Sequence, residues 1–328
     1  FAPDFGGSGQ GAVETMLVAE ALGRALGGGA WLSSVVLAGS LVADAGSLAQ
    51  RERWLPAIAG GDARLALAVD EAHTRYRPAF AECRARVDGN GWRLDGRKTL
   101  VLDGDAADAF IVLARTTGSA GDADGLTLFL VDAKADGLRV QGFDTIDGRR
   151  AAHLGLAGVR LPFEATVGPV DGALPLVEAA SDRAAAALCA EATGAIDALV
   201  EMTTEHLKTR RQFGAPLAKL QVLQHRMADM VLGLELCRSM ACAAAMAVDA
   251  ADPAQRRRLV SAAKVVAAQA GRSAGQWAIQ MHGAMGMTDE CRVGHYAKRL
   301  LAIGQLFGDA AHHLSRFDGE RPQSRAEA

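Results

Sequence analysis

"RRQFGAPLAKLQVLQHRMADM", residues 210–230, sets the problem this chain poses. Leu217, Leu220, Leu223, Met227 and Met230 recur every three or four positions, as one buried helical stripe requires. The stretch therefore reads as the start of a surface helix within a long helical hairpin. That pattern leaves Arg210, Gln212, Phe213, Gly214, Gln221 and Gln224 unexplained, because a bend between helices requires none of them.

Outward from this stretch the helical pattern continues. "DRAAAALCAEATGAIDALVEMTTEHLKTR", "PLAKLQVLQHRMADMVLGLELCRSMACAAAMAVD" and "PAQRRRLVSAAKVVAAQAGRSAGQWAIQMHG" are helical runs of about thirty residues each, and a fourth helical region fills residues 292–316. Long antiparallel helices with short connections predict a C-terminal four-helix bundle over residues 168–328. Residues 62–167 differ. "ARLALAVD", "CRARVDG", "GWRLDGRKTLVL", "AFIVLART", "LTLFLVD" and "GLRVQGF" are short strand-like runs separated by Asp-Gly and Gly turns. That spacing predicts a small β-barrel or sandwich. Residues 1–61 are helical again: "VETMLVAEALGRAL" is amphipathic, and "SLAQRERWLPAIAGG" stops on a glycine pair. The expected class is α+β and multidomain, in the order helices, β-domain, bundle.

At 328 residues the chain is long enough for two or three domains, and with aromatics at only 5% its core must be mostly Ala, Leu and Val. A formal charge of −3 gives no electrostatic reason to expect nucleic acid or a membrane surface. No apolar run reads as long enough to span a bilayer, and no signal peptide is visible. The five cysteines (Cys83, Cys189, Cys237, Cys242, Cys291) are scattered, without a C-x-x-C, which favours reduced thiols and the cytosol. His225, His282, His312 and His313 show no ligand spacing, so no metal is expected, and His312-His313 is expected to face solvent or a subunit contact. The chain opens on "FAPDFGGSG", neither a Met nor a helix start.

Several landmarks in order give the chain a resemblance. "PDFGGSG", "AEALGR", "GSLAQRERWLPAIAGG", "GWRLDGRK" and "AADAFIVLART" precede R-x-Q-F-G (Arg210, Gln212, Phe213, Gly214) and Q-x-x-G-x-x-G (Gln280, Gly283, Gly286). Together they resemble the acyl-CoA dehydrogenase flavoproteins over nearly the whole chain. In that family the opening turn normally lies some way inside the N-terminal helical domain, so residues 1–61 correspond to a remnant of it. The resemblance implies that the last two motifs hold the adenosine and pyrophosphate half of an FAD site shared between subunits. The planar fork of Arg210 suits phosphate oxygens, Phe213 offers an aromatic face to adenosine, and Gln212 and Gln280 offer directional hydrogen bonds. Gly283 and Gly286 would let backbone approach phosphate where a Cβ obstructs. One departure is Ala284, where the family usually has a second glycine. A capped hairpin with a surface arginine is the structural alternative.

The catalytic half departs further. The family removes an α-proton with a carboxylate and passes the β-hydride to flavin, a step that needs a well-placed base. Its usual glutamate, in Y-E-G-T, aligns with "GQLFGDA", where Phe307 and Gly308 stand in place of Tyr and Glu. Some members place the base before an arginine at the start of the first bundle helix, and here that position is Asp182. An Asp at the head of an Ala-rich helix also fits an N-cap, and Asp309 is a third carboxylate nearby. Of the family's flavin-ring contacts, A-x-T-E-P appears as "AVDEAH" with Asp70 and Ala72. W-I-[ST]-N-G appears as "LVLDG" with Leu100 and Leu102. Leucine cannot hydrogen-bond a flavin edge and stacks less well than indole.

The losses thus fall on one half. That asymmetry resembles the small subunit of heteromeric (α2β2) acyl-CoA dehydrogenases, a likeness extended by "MHGAMGMTDE" and "RLLAIGQLFGDAAHHL". The resemblance implies FAD as cofactor, an acyl-CoA thioester (bulky, as in steroid side-chain or dicarboxylic thioesters) as substrate, and a second dehydrogenase-like subunit supplying the catalytic carboxylate. An electron-transfer flavoprotein would be the acceptor. Two alternatives remain: a self-sufficient homo-oligomer with Asp182 as base, and a non-catalytic scaffold or acyl-CoA-binding subunit.

Overall fold

The computed structural model describes residues 1–250 and 252–319, so residues 320–328 of the expected bundle segment lie outside the described residues. The chain divides into two compact units. One comprises residues 1–10 and 29–184, the other residues 11–28 and 185–328.

The first unit opens with a 3-10 turn, Pro3–Phe5, and resumes with a π-helical stretch, Trp31–Gly39, then helices α2 (Ser40–Ala45) and α3 (Leu48–Gly60); α1 (Ala12–Ala25) belongs to the other unit. Helix α3 starts on a reciprocal cap, in which Ser47 Oγ accepts from the Gln50 N–H and Gln50 Oε1 accepts from the Ser47 N–H. Gln50 Nε2 then donates to the carbonyls of Glu164 and Thr166, both at 3.0 Å, so the cap also ties the helix to the sheet.

Eight strands follow: β1 (Leu65–Ala68), β2 (Arg84–Asp88), β3 (Gly91–Leu102), β4 (Ala109–Arg115), β5 (Leu126–Asp132), β6 (Leu138–Asp144), β7 (Arg150–Pro162) and β8 (Thr166–Val167). The expected barrel or sandwich is one open ladder in the order β6-β7-β3-β2-β4-β5-β8, with β1 paired in parallel to β4. Strand β4 is buried along its whole length, which explains its unbroken apolar run "AFIVLA" where an exposed face would demand alternation. It ends on Arg115, itself fully buried. The guanidinium donates to the carbonyls of Ala79, Ala81, Thr117, Asp122 and Asp124 and so organises two loops at once. Burial is the main force lowering its pKa.

The second unit is built on helices. Helix α4 (Leu174–Thr209) begins in the first unit and runs on into the second. Then come the short strands β9 (Arg211–Gln212) and β10 (Ala215–Pro216), and helices α5 (Gln221–Val248), α6 (Pro253–His282), α7 (Arg292–Ile303) and α8 (Ala310–Gly319). The expected fourth helical region is therefore two helices, and the N-terminal α1 joins the group. A Cβ on Gly23 of α1 would sit 1.9 Å from the Glu191 carbonyl oxygen, and one on Gly194 of α4 would sit 1.9 Å from that of Glu20. The two glycines let the helix backbones touch, which explains small residues at both positions. Arg299 of α7 grips Glu191 with two bonds of 2.7 Å, both partners buried. Lys264 of α6, 1% exposed, donates to the carbonyls of Ile303 (2.5 Å) and Leu306 (2.8 Å) and closes the end of α7.

Helix α5 corrects one sequence expectation. Its most apolar eighteen residues have a mean hydropathy of 1.6, so by length and composition alone it could cross a membrane. Within the unit it packs against α6 and α1. Its other side leaves Val222, Leu232, Leu236 and Met246 more than half exposed.

Candidate functional site

The opening stretch is not the start of a helix. Helix α4 ends at Thr209, and residues 211–216 form a two-residue β-hairpin in which Ala215 pairs with Gln212 and Pro216 with Arg211. The Leu217 N–H returns to the Arg210 carbonyl at 2.9 Å and closes it. Both residues at the tip have left-handed backbone, Phe213 at φ 53° and Gly214 at φ 77°, the geometry of a type I′ turn. A hairpin this tight points its tip side chains away from the helices. Phe213 is accordingly 88% exposed, and Arg210 and Gln212 are exposed beside it. Gln224 has a local task, donating from Nε2 to the Ala218 carbonyl at 2.8 Å and holding the approach to α5. Gln221 is simply the first residue of that helix.

The second motif ends α6. Gln280 is exposed in the last turn, and His282 is the last helical residue. Gly283 follows at φ 64° and ψ −144°, a conformation essentially reserved for glycine, with nothing within 4 Å of where a Cβ would stand. Here the backbone is open to the surroundings. Gly286 is not. It is buried, and a Cβ there would lie 2.8 Å from the Ile279 carbonyl oxygen, so its own chain demands the glycine. Ala284 is exposed and narrows nothing inside the helical unit.

The fold brings the two motifs to one end of the helical unit. The imidazoles of His206, in the last turn of α4, and His282 stack with centroids 4.2 Å apart and planes 25° from parallel. The Arg210 N–H donates to the His206 carbonyl at 2.8 Å. Burial above all holds His206 below its ordinary pKa, followed by the nearby His282 and Arg210. Arg210 and this pair give the end of the unit a cluster of cationic and ionisable groups, with Phe213 projecting and Gly283 open. Those features fit the adenosine and diphosphate half of a dinucleotide: a fork for phosphate, an uncommitted aromatic face, and accessible backbone.

The position of the family's glutamate is closed. Phe307 (φ 56°) and Gly308 (φ 120°) make a left-handed turn between α7 and α8. A Cβ on Gly308 would meet His312 Cδ2 at 2.6 Å and His313 Nε2 at 2.7 Å. His313, 1% exposed, has Nδ1 3.2 Å from Ser261 Oγ and Nε2 3.1 Å from the Phe307 carbonyl oxygen. Burial pushes its pKa down to about 3, so the ring is neutral. The expectation that His312-His313 faces solvent or a subunit thus fails for His313, which is packing inside the unit. Asp309 caps α8, accepting from the His312 N–H at 2.8 Å.

Asp182 needs the opposite correction. It is not an N-cap, because α4 starts at Leu174 and Asp182 lies in its third turn, 1% exposed. Its neighbour Arg183 pairs with Asp44 at 3.0 Å.

On the sheet, Leu100 has φ 49° and is 41% exposed, at the point where the β3–β7 register shifts between Lys98 and Val101. A left-handed leucine is strained and an exposed one stabilises little. Leu102 is half-buried. Asp70 accepts at its backbone carbonyl from the Thr99 N–H at 2.8 Å. Burial raises the pKa of its half-buried side chain, Lys98 opposes this, and Glu71 adds to it. The sequence reading missed the partner of this segment. Fully buried Lys98 donates to Glu71 Oε1 at 2.6 Å and to the Val69 carbonyl at 3.0 Å, and Glu71 also accepts from the N–H groups of Glu82 and Cys83. None of Asp70, Leu100 and Leu102 offers the hydroxyl or indole expected to face a flavin ring.

Comparison with known proteins identifies the class of the chain. The family models for the N-terminal, middle and C-terminal domains of acyl-CoA dehydrogenases match residues 1–62, 66–158 and 174–316. The chain belongs to the acyl-CoA dehydrogenase family, whose members are FAD-dependent oxidoreductases acting on CH–CH bonds. Acyl-CoA dehydrogenase FadE12 of Mycobacterium tuberculosis is 30% identical over 292 residues, covering 88% of this chain and 75% of that one. The ChsE4-ChsE5 complex from Mycobacterium tuberculosis superposes with a TM-score of 0.87 at 30% identity, over 100% of this chain and 85% of that one. A glutaryl-CoA dehydrogenase from Mycobacterium smegmatis, solved in complex with FADH2, gives 0.88 at 26% identity, over 96% of this chain and 80% of that one.

Proposed function

We propose that this chain is one half of a paired acyl-CoA dehydrogenase. It contributes the adenosine and diphosphate side of an FAD site, and a second dehydrogenase-like subunit contributes the carboxylate that removes the α-proton. The observation that carries this reading is the turn at Gly308. Its backbone is left-handed and a Cβ there would come within 3 Å of the His312 and His313 rings, so the usual base is absent and a side chain could enter only if those rings moved. At the other motif the fork of Arg210, the exposed ring of Phe213 and the open backbone at Gly283 are retained.

When bound, FAD accepts the two electrons released as the Cα–Cβ bond of an acyl-CoA becomes a double bond. The chain's own contribution is binding. Arg210 neutralises diphosphate, Phe213 covers one face of the adenosine, and Gln212 and Gln280 orient it. The likeness to a two-component complex and the apolar outer side of α5 both favour a protein partner, in an α2β2 assembly. A bulky acyl group and an electron-transfer flavoprotein as acceptor complete the proposal, on likeness to the paired dehydrogenases alone.

The test is flavin content. The chain should hold little FAD alone and about one FAD per pair of chains when coexpressed with its partner. One FAD per chain with turnover in isolation would overturn the pairing. One observation favours that second reading: Asp182 lies buried in the third turn of α4 and not at its N-cap. If Asp182 is the base, Asp182→Asn abolishes turnover and leaves flavin bound.

A further inference from the structure

We propose that His206 and His282 are a proton-linked part of the diphosphate site, and that the stacked pair takes up a proton when the dinucleotide binds. The proposal rests on the reading that the diphosphate of FAD lies against Arg210 and Gly283.

The geometry poses an electrostatic problem that an arginine alone does not solve. Helices α4 and α6 both end here, and the C-terminal end of a helix carries the negative pole of its dipole, the wrong sign for an anion. A helix N-terminus would have helped a phosphate bind, whereas these two ends oppose it. Compensation has to come from side chains. His206 is in the last turn of α4 and His282 is the last residue of α6, so both imidazoles stand where a positive charge is favoured by the helix and needed by the ligand. His282 has Nδ1 2.8 Å from the Ala278 carbonyl oxygen, so Nδ1 donates there and Nε2 takes no part in that bond.

Without a ligand, burial and its basic neighbours hold His206 toward its neutral form. The charged groups facing His206 are His282 from α6 and Arg210 from the end of its own helix. All are basic. Rings stacked at 4.2 Å beside an arginine cannot readily accept even one proton, and still less two. Bringing a doubly charged diphosphate against Arg210 reverses the sign of that environment. Protonation then costs less, and the protonated imidazole strengthens the attraction. Neither histidine has an obvious packing task that requires an ionisable ring, and a pair of phenyl rings would stack as well.

The probe is ADP-ribose, which carries the adenosine and diphosphate of FAD and has no group of its own titrating near neutrality. Calorimetric titration of the coexpressed complex stripped of FAD, in buffers of low and high ionisation enthalpy from about pH 6 to about pH 8.5, counts the protons taken up. Uptake approaching one proton and an affinity that weakens by up to about tenfold per pH unit above neutrality are expected. Nitrogen-15 spectra of the imidazoles should show the pKa of one of the two rising on binding. The double variant His206→Phe/His282→Gln should bind without uptake and lose the pH dependence. Binding that depends on Arg210 but releases or absorbs no proton overturns this proposal and leaves the site reading intact, as does uptake that persists in the double variant. No binding, or binding indifferent to Arg210→Ala, overturns both. The wild-type proton count needs no variant to fold.

Discussion

The dipeptide Phe-Gly occurs at two turns of the helical unit, Phe213-Gly214 and Phe307-Gly308, and in both the backbone of each residue is left-handed. At the first, nothing lies within 4 Å of where a Gly214 Cβ would stand, and Phe213 is 88% exposed. At the second, two histidine rings fill the corresponding space and the glycine is buried. Similar local chemistry therefore yields an open projection in one place and a sealed plug in the other. What differs is the neighbour. The first turn joins helices whose ends leave it in solvent, while the second lies where α8 folds back and lays His313 across it. The open turn keeps the features a ligand needs, and the sealed one has lost the room for a catalytic carboxylate.

The sharpest way to break this contrast is at the open turn. Arg210→Ala in the coexpressed complex should weaken FAD by about thirtyfold or more, since losing one partner of a charge-assisted contact at an interface costs roughly 2–5 kcal/mol. Equilibrium dialysis with flavin absorbance reads this directly. Retention of FAD at wild-type affinity would leave the hairpin as a structural turn only.

The two glycines sharpen the contrast within stability alone. Gly308→Ala should cost roughly 2–4 kcal/mol, because a methyl meets imidazole atoms and left-handed strain is added. Gly214→Ala suffers only the strain, about 1 kcal/mol. Urea unfolding of both variants gives the difference. Gly308→Glu should follow Gly308→Ala in stability and gain no dehydrogenase activity. Activity restored by that single substitution would mean the plug yields and the missing base is a matter of sequence alone.

Much of this was legible before the structure, for identifiable reasons. The alternation of helical and strand-like periods gives the order of elements because period and burial are coupled along a chain. Landmarks such as Arg210 and Gln280 were legible because they recur as short strings. The tight hairpin was not, since its turn is Phe-Gly rather than Asn-Gly and its flanking leucines continue a helical spacing. The start of α4 was misplaced at Asp182 although Pro175, in its true first turn, marks the beginning of a helix. His206 and His282 stack across 76 positions of sequence, and His313 reaches Ser261 across 52, distances at which no spacing rule operates. Gly286 carries a demand the motif does not reveal: its own chain needs the glycine.

A smaller effect separates the plug from its surroundings by pH. His313 has a folded pKa near 3 against an ordinary 6.5, so the unfolded chain binds the proton more readily. Its contribution to stability is complete above pH 6.5 and is lost as pH falls toward 3. Lys264, lowered by burial from 10.5 to about 8, works in another range. The unfolded chain again holds the proton more strongly, so stability rises from pH 8 to pH 10.5, while the neutral amine still donates to Ile303 and Leu306. Unfolding midpoints across pH should show both slopes, and His313→Gln should flatten only the acid one.

Phe213→Ala should disturb the protein least and so tests the open turn most cleanly. A ring that is 88% exposed contributes almost nothing to folding, and the change in stability should stay within about 0.5 kcal/mol. If the ring covers adenosine, the same substitution should weaken FAD in the complex by about 1–2 kcal/mol, a factor of roughly five to thirty. A large loss of binding with unchanged folding would identify Phe213 as a residue held in readiness for a ligand. Equal indifference in both measurements would mean that the hairpin tip faces solvent in the assembled protein as it does here, and that the adenosine lies elsewhere.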